Sequence, residues 1–223
     1  MISKDEIHGL ALLHGVPVAN VEKDYVMGWL LCAIASNPWI GDNLVLKGRN
    51  CLRKLYFPDT RFSDDLDFTA HRLDAADTFR EQLQSICNEV SSTAGIEFDL
   101  DRTAVEAKTT PDPDCQALDG RVYFRGFAGD SSVTMRIKFD VSDYERIVLP
   151  VQRHLILHEY SDAGAVTTVP VNAYSLEEVL AEKLRSWIQR TRSRDLFDVV
   201  KIIQSGKIPI VKRPLCQGSC RLG

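Results

Sequence analysis

Two aspartates, Asp65 and Asp67, stand one residue apart in the alternating run Asp65-Leu66-Asp67-Phe68. Period-two alternation marks a strand, so Leu66 and Phe68 face one way and both carboxylates the other. Carboxylates this close can share Mg2+ ions, and such ions bridge the phosphates of a nucleoside triphosphate. Alone, the pattern more often marks a solvated strand face. Two other segments add to it. Upstream, Lys47-Gly48-Arg49-Asn50-Cys51-Leu52-Arg53-Lys54 joins the apolar run Leu44-Val45-Leu46 to the start of a helix. A strand, tight turn and helix in that order expose backbone N–H groups beside cations, which makes an anion site. Downstream, Val133 to Val141 reads as a strand, with Asp140 at its end on the face opposite Phe139, a candidate third carboxylate.

A second group of chemistry-bearing residues lies near the carboxyl terminus. Ser175-Leu176-Glu177-Glu178 is a capping box that opens a helix running to about residue 189. Lys183 lies on that helix with Arg190 one to two turns on, a face able to reach a phosphate tail; the plainer alternative is an exposed lysine paired with a neighbour. A second helix spans about 194–204, with Leu196, Val199, Val200 and Ile203 as its apolar stripe. Asp195 and Asp198 sit near its amino terminus, where the helix dipole favours carboxylates, and capping or pairing with Arg190 or Arg194 is their bland role. Arg185, Arg190, Arg192 and Arg194 could lead an RNA backbone, or they form a solvated helix pair laced with ion pairs.

Other elements position these residues. Helices are expected over 3–14, 18–36 and 75–93, the last with Phe79, Leu83, Ile86 and Val90 on one face. Residues 96–105 and 122–127 favour strands, and 109–120, with two prolines, reads as a loop. The chain has 223 residues, 44% hydrophobic and 26% charged, which suits a globular protein with a real core. Its 27 basic and 31 acidic side chains give a net charge of −4, too acidic for a protein that coats nucleic acid with its whole surface. The balance is uneven: residues 1–182 carry −12 and residues 183–223 carry +8. The longest uncharged apolar stretch, Val26 to Ala35, is far short of the roughly 20 residues that span a bilayer. The amino terminus lacks signal-peptide design, so a cytoplasmic protein is expected. Six scattered cysteines do not form a disulfide framework, and the close pair Cys216 and Cys220 lacks the partners a zinc site needs. The five histidines show no ligand spacing, and Trp29, Trp39 and Trp187 read as packing residues.

Five blocks in order resemble the AbiEii-type nucleotidyltransferase toxins of the polymerase-β-like superfamily. They are Glu22-Lys23-Asp24-Tyr25; Leu44 to Gly48 with Leu52 to Tyr56; Arg61-Phe62-Ser63-Asp64-Asp65-Leu66-Asp67-Phe68; Ile137-Lys138-Phe139-Asp140; and Glu178 to Arg185 with Arg190 and Arg194-Asp195-Leu196-Phe197-Asp198. The resemblance covers about residues 20–205. It implies an α+β fold: a polymerase-β-like nucleotidyltransferase core, a mixed sheet flanked by helices, with helical segments at both ends. The expected divisions are an amino-terminal helical segment 1–42, a core 43–172 and a basic, short carboxyl-terminal lobe 173–223.

The resemblance also implies an activity: transfer of a nucleotide from a nucleoside triphosphate to an RNA acceptor, with the tRNA 3′ end as best precedent. Two Mg2+ ions, with Mn2+ as a substitute, would be held by Asp65, Asp67 and Asp140. Lys183 would face the triphosphate and Asp195 would support activity by orienting Lys183. Lys47, Gly48, Arg49, Asn50, Arg53, Ser63 and Arg190 are the other expected nucleotide-binding residues. A separately encoded antitoxin is the implied protein partner. One departure stands out: the family places Gly-Gly-Thr or Gly-Gly-Ser after the first strand, and this chain has Gly48-Arg49-Asn50. Arg49 either clamps phosphate with its guanidinium or narrows the pocket, and Asn50 can donate through its amide. A nucleotidylyl transferase acting on protein, and a degenerate fold serving as an antitoxin- or RNA-binding module, are the alternatives.

Overall fold

The computed structural model describes residues 2–110, 112–129 and 132–208. It divides into two compact units, Met1–Val179 and Leu180–Gly223. The first opens with α1 (Lys4–His14) and α2 (Val18–Ser36). Ser3 caps α1 by accepting from the Glu6 N–H at 3.2 Å, and Gly15 ends it at φ 63°. Pro17 starts α2 and Asn37-Pro38 stops it. Residues around the whole circumference of α2 are buried, from Val21 to Ile34, so it is a central helix and not an amphipathic cover.

Seven strands follow: β1 (Leu44–Lys47), β2 (Asp65–Ala70), β3 (Ala104–Ala107), β4 (Ala117–Arg125), β5 (Thr134–Ser142), β6 (Gln152–His154) and β7 (Val171–Ala173). They form one mixed sheet in the order β3-β4-β5-β2-β1-β7-β6. β2 runs parallel to β5 and antiparallel to β1, and β4 is antiparallel to β5. Between β1 and β2 come the single turn α3 (Gly48–Cys51) and a π-helical turn, Leu52–Tyr56, whose wide closure is seen in the Phe57 N–H donating to Leu52 O at 2.7 Å. Helix α4 (Ala76–Ala94) buries Phe79, Leu83, Ile86, Cys87 and Val90 and packs on β3 and β4, while α2 packs on β5 and β7. The buried sheet face carries Leu66, Phe68, Leu118, Val122, Phe124, Ile137, Phe139 and Val141. No described helix is long and apolar enough to cross a membrane.

Several elements depart from the sequence expectation. β4 begins at Ala117, inside the stretch read as a loop, because pairing with β5 from Ala117↔Ser142 onward overrides the poor strand propensity of Asp119 and Gly120. Gly120 fits there because a Cβ would lie 3.1 Å from both Leu83 and Phe139. Residues 96–103 form no continuous strand: they meet β4 at the isolated bridge Phe98↔Phe124, flanked by the Asp99 N–H donating to Tyr123 O and the Arg125 N–H donating to Glu97 O. The three-residue strands β6 and β7 and the short α5 (Ala163–Val166) left no periodic signal. Asp140 lies two residues inside β5 and not at its end. Trp39 is 64% exposed, unlike the buried Trp29.

Helix α6 (Leu176–Arg190) contains the division between the units, and α7 (Ser193–Gln204) lies in the second. The Glu178 N–H donates to Ser175 Oγ at 3.2 Å, but the Glu178 carboxylate accepts from the N–H groups of Val148 and Leu149, so the capping box is half made. The buried stripe of α7 is Asp195, Asp198, Val199 and Ile202; Leu196, Val200 and Ile203, expected to be covered, are exposed. Cys216 and Cys220 lie outside the described residues.

Candidate active site

Strand register assembles the carboxylates. β2 and β5 pair Asp67 with Asp140 and Asp65 with Lys138. β1 adds Lys47 opposite Asp67, and β4 adds Asp119 opposite Asp140. Residues paired across strands share a face, so Lys47, Asp67, Asp140 and Asp119 form one row on the sheet's polar side, with Asp65 and Lys138 in the next row. Asp65 is exposed at the start of β2 and Asp67 is half-buried.

Gly48 fits this row to the preceding turn. Its φ of +70° belongs to the left-handed region, and a Cβ there would lie 2.2 Å from Asp67 Oδ2. The backbone at the start of α3 therefore touches the Asp67 carboxylate, and no side chain can stand between them. Arg49 follows, half-buried in the same turn.

Three expected nucleotide-binding side chains have other partners. Asn50 is fully buried, and its amide donates to Asp65 O, which ties the turn to the start of β2. Arg53 is also buried, with Nε donating to Asp24 Oδ1 at 2.7 Å and Nη1 to the carbonyls of Pro58 and Thr60, and its guanidinium lies over the Phe62 ring. Through these bonds both side chains tie the turn to its surroundings. Lys47 pairs with Glu145 and lies 3.4 Å from Ser142 Oγ. Ser63 is half-buried in the segment before β2.

Cations cluster at the far side of the row. Lys108 Nζ donates to Asp140 Oδ2 at 2.6 Å, and Lys138 Nζ lies 3.2 Å from Asp119 Oδ2. Burial disfavours the charge of Lys138, but its hydrogen bond to Asp119 and the charges of Asp119, Asp140 and Asp65 outweigh this and hold its pKa above the ordinary lysine value. Asp119 escaped the sequence reading because residues 109–120 look like a loop; the alternation Leu118-Asp119-Gly120-Arg121-Val122 was the available signal.

The segment Glu22-Lys23-Asp24-Tyr25 acts as a clamp. Glu22 accepts from the N–H groups of Phe127 and Ala128, both at 2.7 Å. Lys23 pairs at 2.7 Å with Asp64, the residue before β2. Asp24, 3% exposed, receives Lys54 at 2.6 Å, Arg53 and the Tyr160 hydroxyl at 2.8 Å. Tyr25 donates to Asp162 at 2.7 Å. Burial alone would raise the Asp24 pKa, but Lys54 and Arg53 together hold it below the ordinary carboxylate value. Lys54, which shares that one carboxylate with Arg53, is pulled down by its burial despite Asp24. Beside this group His158 lies 3.1 Å from Asp162, and burial followed by the charge of Lys54 lowers its pKa to about 4.

Within the second unit Lys183 Nζ lies 2.9 Å from Asp198 Oδ2 and 3.6 Å from Asp195 Oδ1, and all three side chains are buried. Asp198 is thus the nearer partner of Lys183. Arg190 is exposed at the end of α6.

The donor set suits a hard divalent cation: Asp65, Asp67 and Asp140 offer oxygen alone, from one polar face. Among the described residues no three His, Cys, Asp or Glu side chains already converge as a metal cage. Partial protein coordination is the habit of Mg2+, which keeps waters and takes substrate phosphates as further ligands.

The fold is that of known structures. The Helicobacter pylori protein JHP933 superposes with a TM-score of 0.52 at 22% identity, over 83% of this chain and 66% of that one. A second H. pylori structure, provisionally assigned as a nucleotidyltransferase, gives 0.51 and 22% over 82% of this chain and 68% of that one. This chain thus spans about two thirds of the length of either. No curated protein matches the sequence. The model of the nucleotidyl transferase AbiEii toxin family, of the type IV toxin–antitoxin systems, matches residues 29–214. That match takes in both carboxylate strands, the Gly48 turn and the Lys183 helix, and the chain belongs to the AbiEii nucleotidyltransferase toxin family.

Proposed function

We propose that this protein is a metal-dependent nucleotidyltransferase that moves a nucleotide from a nucleoside triphosphate to an RNA hydroxyl, with the tRNA 3′ end as acceptor. The observation that carries this reading is the register pair Asp67↔Asp140 beside Asp65, with the Gly48 backbone against Asp67. The acceptor oxygen attacks the α-phosphorus, the bond to the pyrophosphate oxygen breaks, and pyrophosphate leaves with its electron pair. Asp140 would take the hydroxyl proton, with the metal supplying most of the activation. Asp65, Asp67 and Asp140 would hold two Mg2+ ions, which supply charge neutralisation for the triphosphate and the leaving group. The chain's own part is positioning: Asn50 fixes the start of β2, and Gly48 sets the turn against Asp67. Arg49, next in that turn, is read as a phosphate clamp.

Lys183 and Asp195 enter the reading through their match to the family motif. A cognate antitoxin is the expected restraint, and the cytoplasm the expected compartment. The test is incubation with Mg2+, each labelled nucleoside triphosphate and total tRNA. Label on RNA that is lost in Asp65→Ala supports the proposal, and label on protein would select a protein-modifying transferase instead. Absence of label on RNA and protein with every nucleotide would overturn it; activity appearing only in Arg49→Gly would then identify the natural protein as a binding module.

A further inference from the structure

We propose that Asp119 is a positioning residue of this site: it provides a second anionic seat for Lys108, so that Asp140 can give its carboxylate to a divalent cation. The inference rests on the metal-dependent reading above.

Lys108 Nζ now sits 2.6 Å from Asp140 Oδ2 and 3.8 Å from Asp119 Oδ2. Lys138 Nζ spans the same two oxygens, at 3.6 and 3.2 Å. Asp140 Oδ2 thus carries two ammonium neighbours, and a cation shared by Asp67 and Asp140 competes with both for that oxygen. Like charges a few ångströms apart repel, so a cation arriving at Asp140 drives Lys108 away. The move to Asp119 is about 1 Å along a flexible side chain and keeps the ammonium paired.

Asp119 is built to stay in place while this happens. Its side chain is 13% exposed against 37% for Asp140. Its Oδ1 accepts from Arg121 Nε at 3.1 Å, and the other two nitrogens of Arg121 are fixed by Glu106 at 3.2 and 2.9 Å. The strand register holds Asp119 opposite Asp140 through the backbone. In Asp119→Asn, Lys108 keeps one ion-pair partner among the described residues, Asp140, and a cation must leave that lysine unpaired to bind.

The test is Mn2+ titration of the purified protein, with the signal of free Mn2+ read by electron paramagnetic resonance and folding checked by circular dichroism and thermal melting. Asp119→Asn weakens Mn2+ binding by about tenfold or more, the range for groups that support metal ligands. Asp119→Glu keeps affinity close to that of the natural protein. Lys108→Gln binds Mn2+ more tightly than the natural protein, and in the Asp119→Asn background it restores affinity. That rescue separates a positioning role from a merely structural one, and the Lys108→Gln single variant keeps the test valid if Asp119→Asn does not fold. Unchanged affinity in Asp119→Asn, or a Lys108→Gln protein that binds no more tightly, would overturn the inference while leaving the metal site standing. A natural protein that binds Mn2+ no better than Asp67→Asn would overturn the metal reading and this inference together.

Discussion

Replacing Gly48 with alanine adds one methyl group against the Asp67 carboxylate. The substituted residue must hold φ at +70°, which costs about 1–2 kcal/mol for an L-residue with a side chain. In a protein of this size that lowers the melting temperature by roughly 2–8 °C. The site suffers more. The new Cβ would lie 2.2 Å from Asp67 Oδ2 and 3.0 Å from its Cγ, so the carboxylate must retreat by about 1 Å to reach ordinary contact. A carboxyl group can turn about its side-chain torsions, so the fold survives while the alignment with Asp140 does not. Misplacement by about 1 Å costs on the order of 100-fold in rate. The assay is initial-rate nucleotide transfer to RNA at saturating triphosphate, run beside thermal unfolding. A variant that transfers within about threefold of the natural protein would refute the argument that the Gly48 turn sets the Asp67 geometry.

Asp24→Asn takes from the buried Arg53 and Lys54 the carboxylate that pairs with both, a loss of about 3–5 kcal/mol and roughly 10 °C in melting temperature, checked by thermal denaturation at neutral pH. Because the fold lowers the Asp24 pKa, its contribution is full above the ordinary value of 3.8 and fades as pH falls through the folded value, a dependence the asparagine variant lacks. His158 acts in a higher window: its folded pKa of about 4 lies below the ordinary 6.5, so the unfolded chain binds more protons between these values and stability rises with pH there. The whole shift amounts to about 3 kcal/mol, and denaturant melts of His158→Gln between pH 4.5 and 7 flatten by most of it, about 2 kcal/mol. Arg49→Gly raises KM for the nucleoside triphosphate more than it lowers kcat; a gain in kcat/KM would show instead that Arg49 narrows the pocket. Asp198→Asn lowers the melting temperature more than Asp195→Asn does, because Asp198 makes the shorter contact to Lys183.

The strongest sequence signals were those with a local cause. The alternation at Asp65–Phe68 placed both aspartates on the polar face of β2, and the spacing of Phe79, Leu83, Ile86 and Val90 gave α4 its buried side. What the sequence hid depends on pairing with distant residues. Asp119 belongs to a strand only because β5 lies beside it, and local propensity argued for a loop. Arg53 and Asn50 have the types of phosphate ligands, yet the π turn and α2 draw them inside, where Asp24 and Asp65 O take their donors. The four residues Glu22–Tyr25 were visible as a motif, but their partners lie up to 137 positions away, and no periodicity reports contacts of that kind.

Those separations also set an order in time. Successive residues of a helix point about 100° apart, so one turn of α2 sends four side chains to four different parts of the chain. Tyr160, the hydroxyl partner of Asp24, follows it by 136 residues. At about 5–20 residues per second, synthesis of that stretch takes on the order of 7 to 30 s. During that interval α2 gathers its partners one at a time: Arg53 and Lys54 follow Asp24 by 29 and 30 residues and Phe127 follows Glu22 by 105, and the register that aligns Asp67 with Asp140 cannot form until β5 is made. The aspartates of the site are therefore on the ribosome long before they are a site.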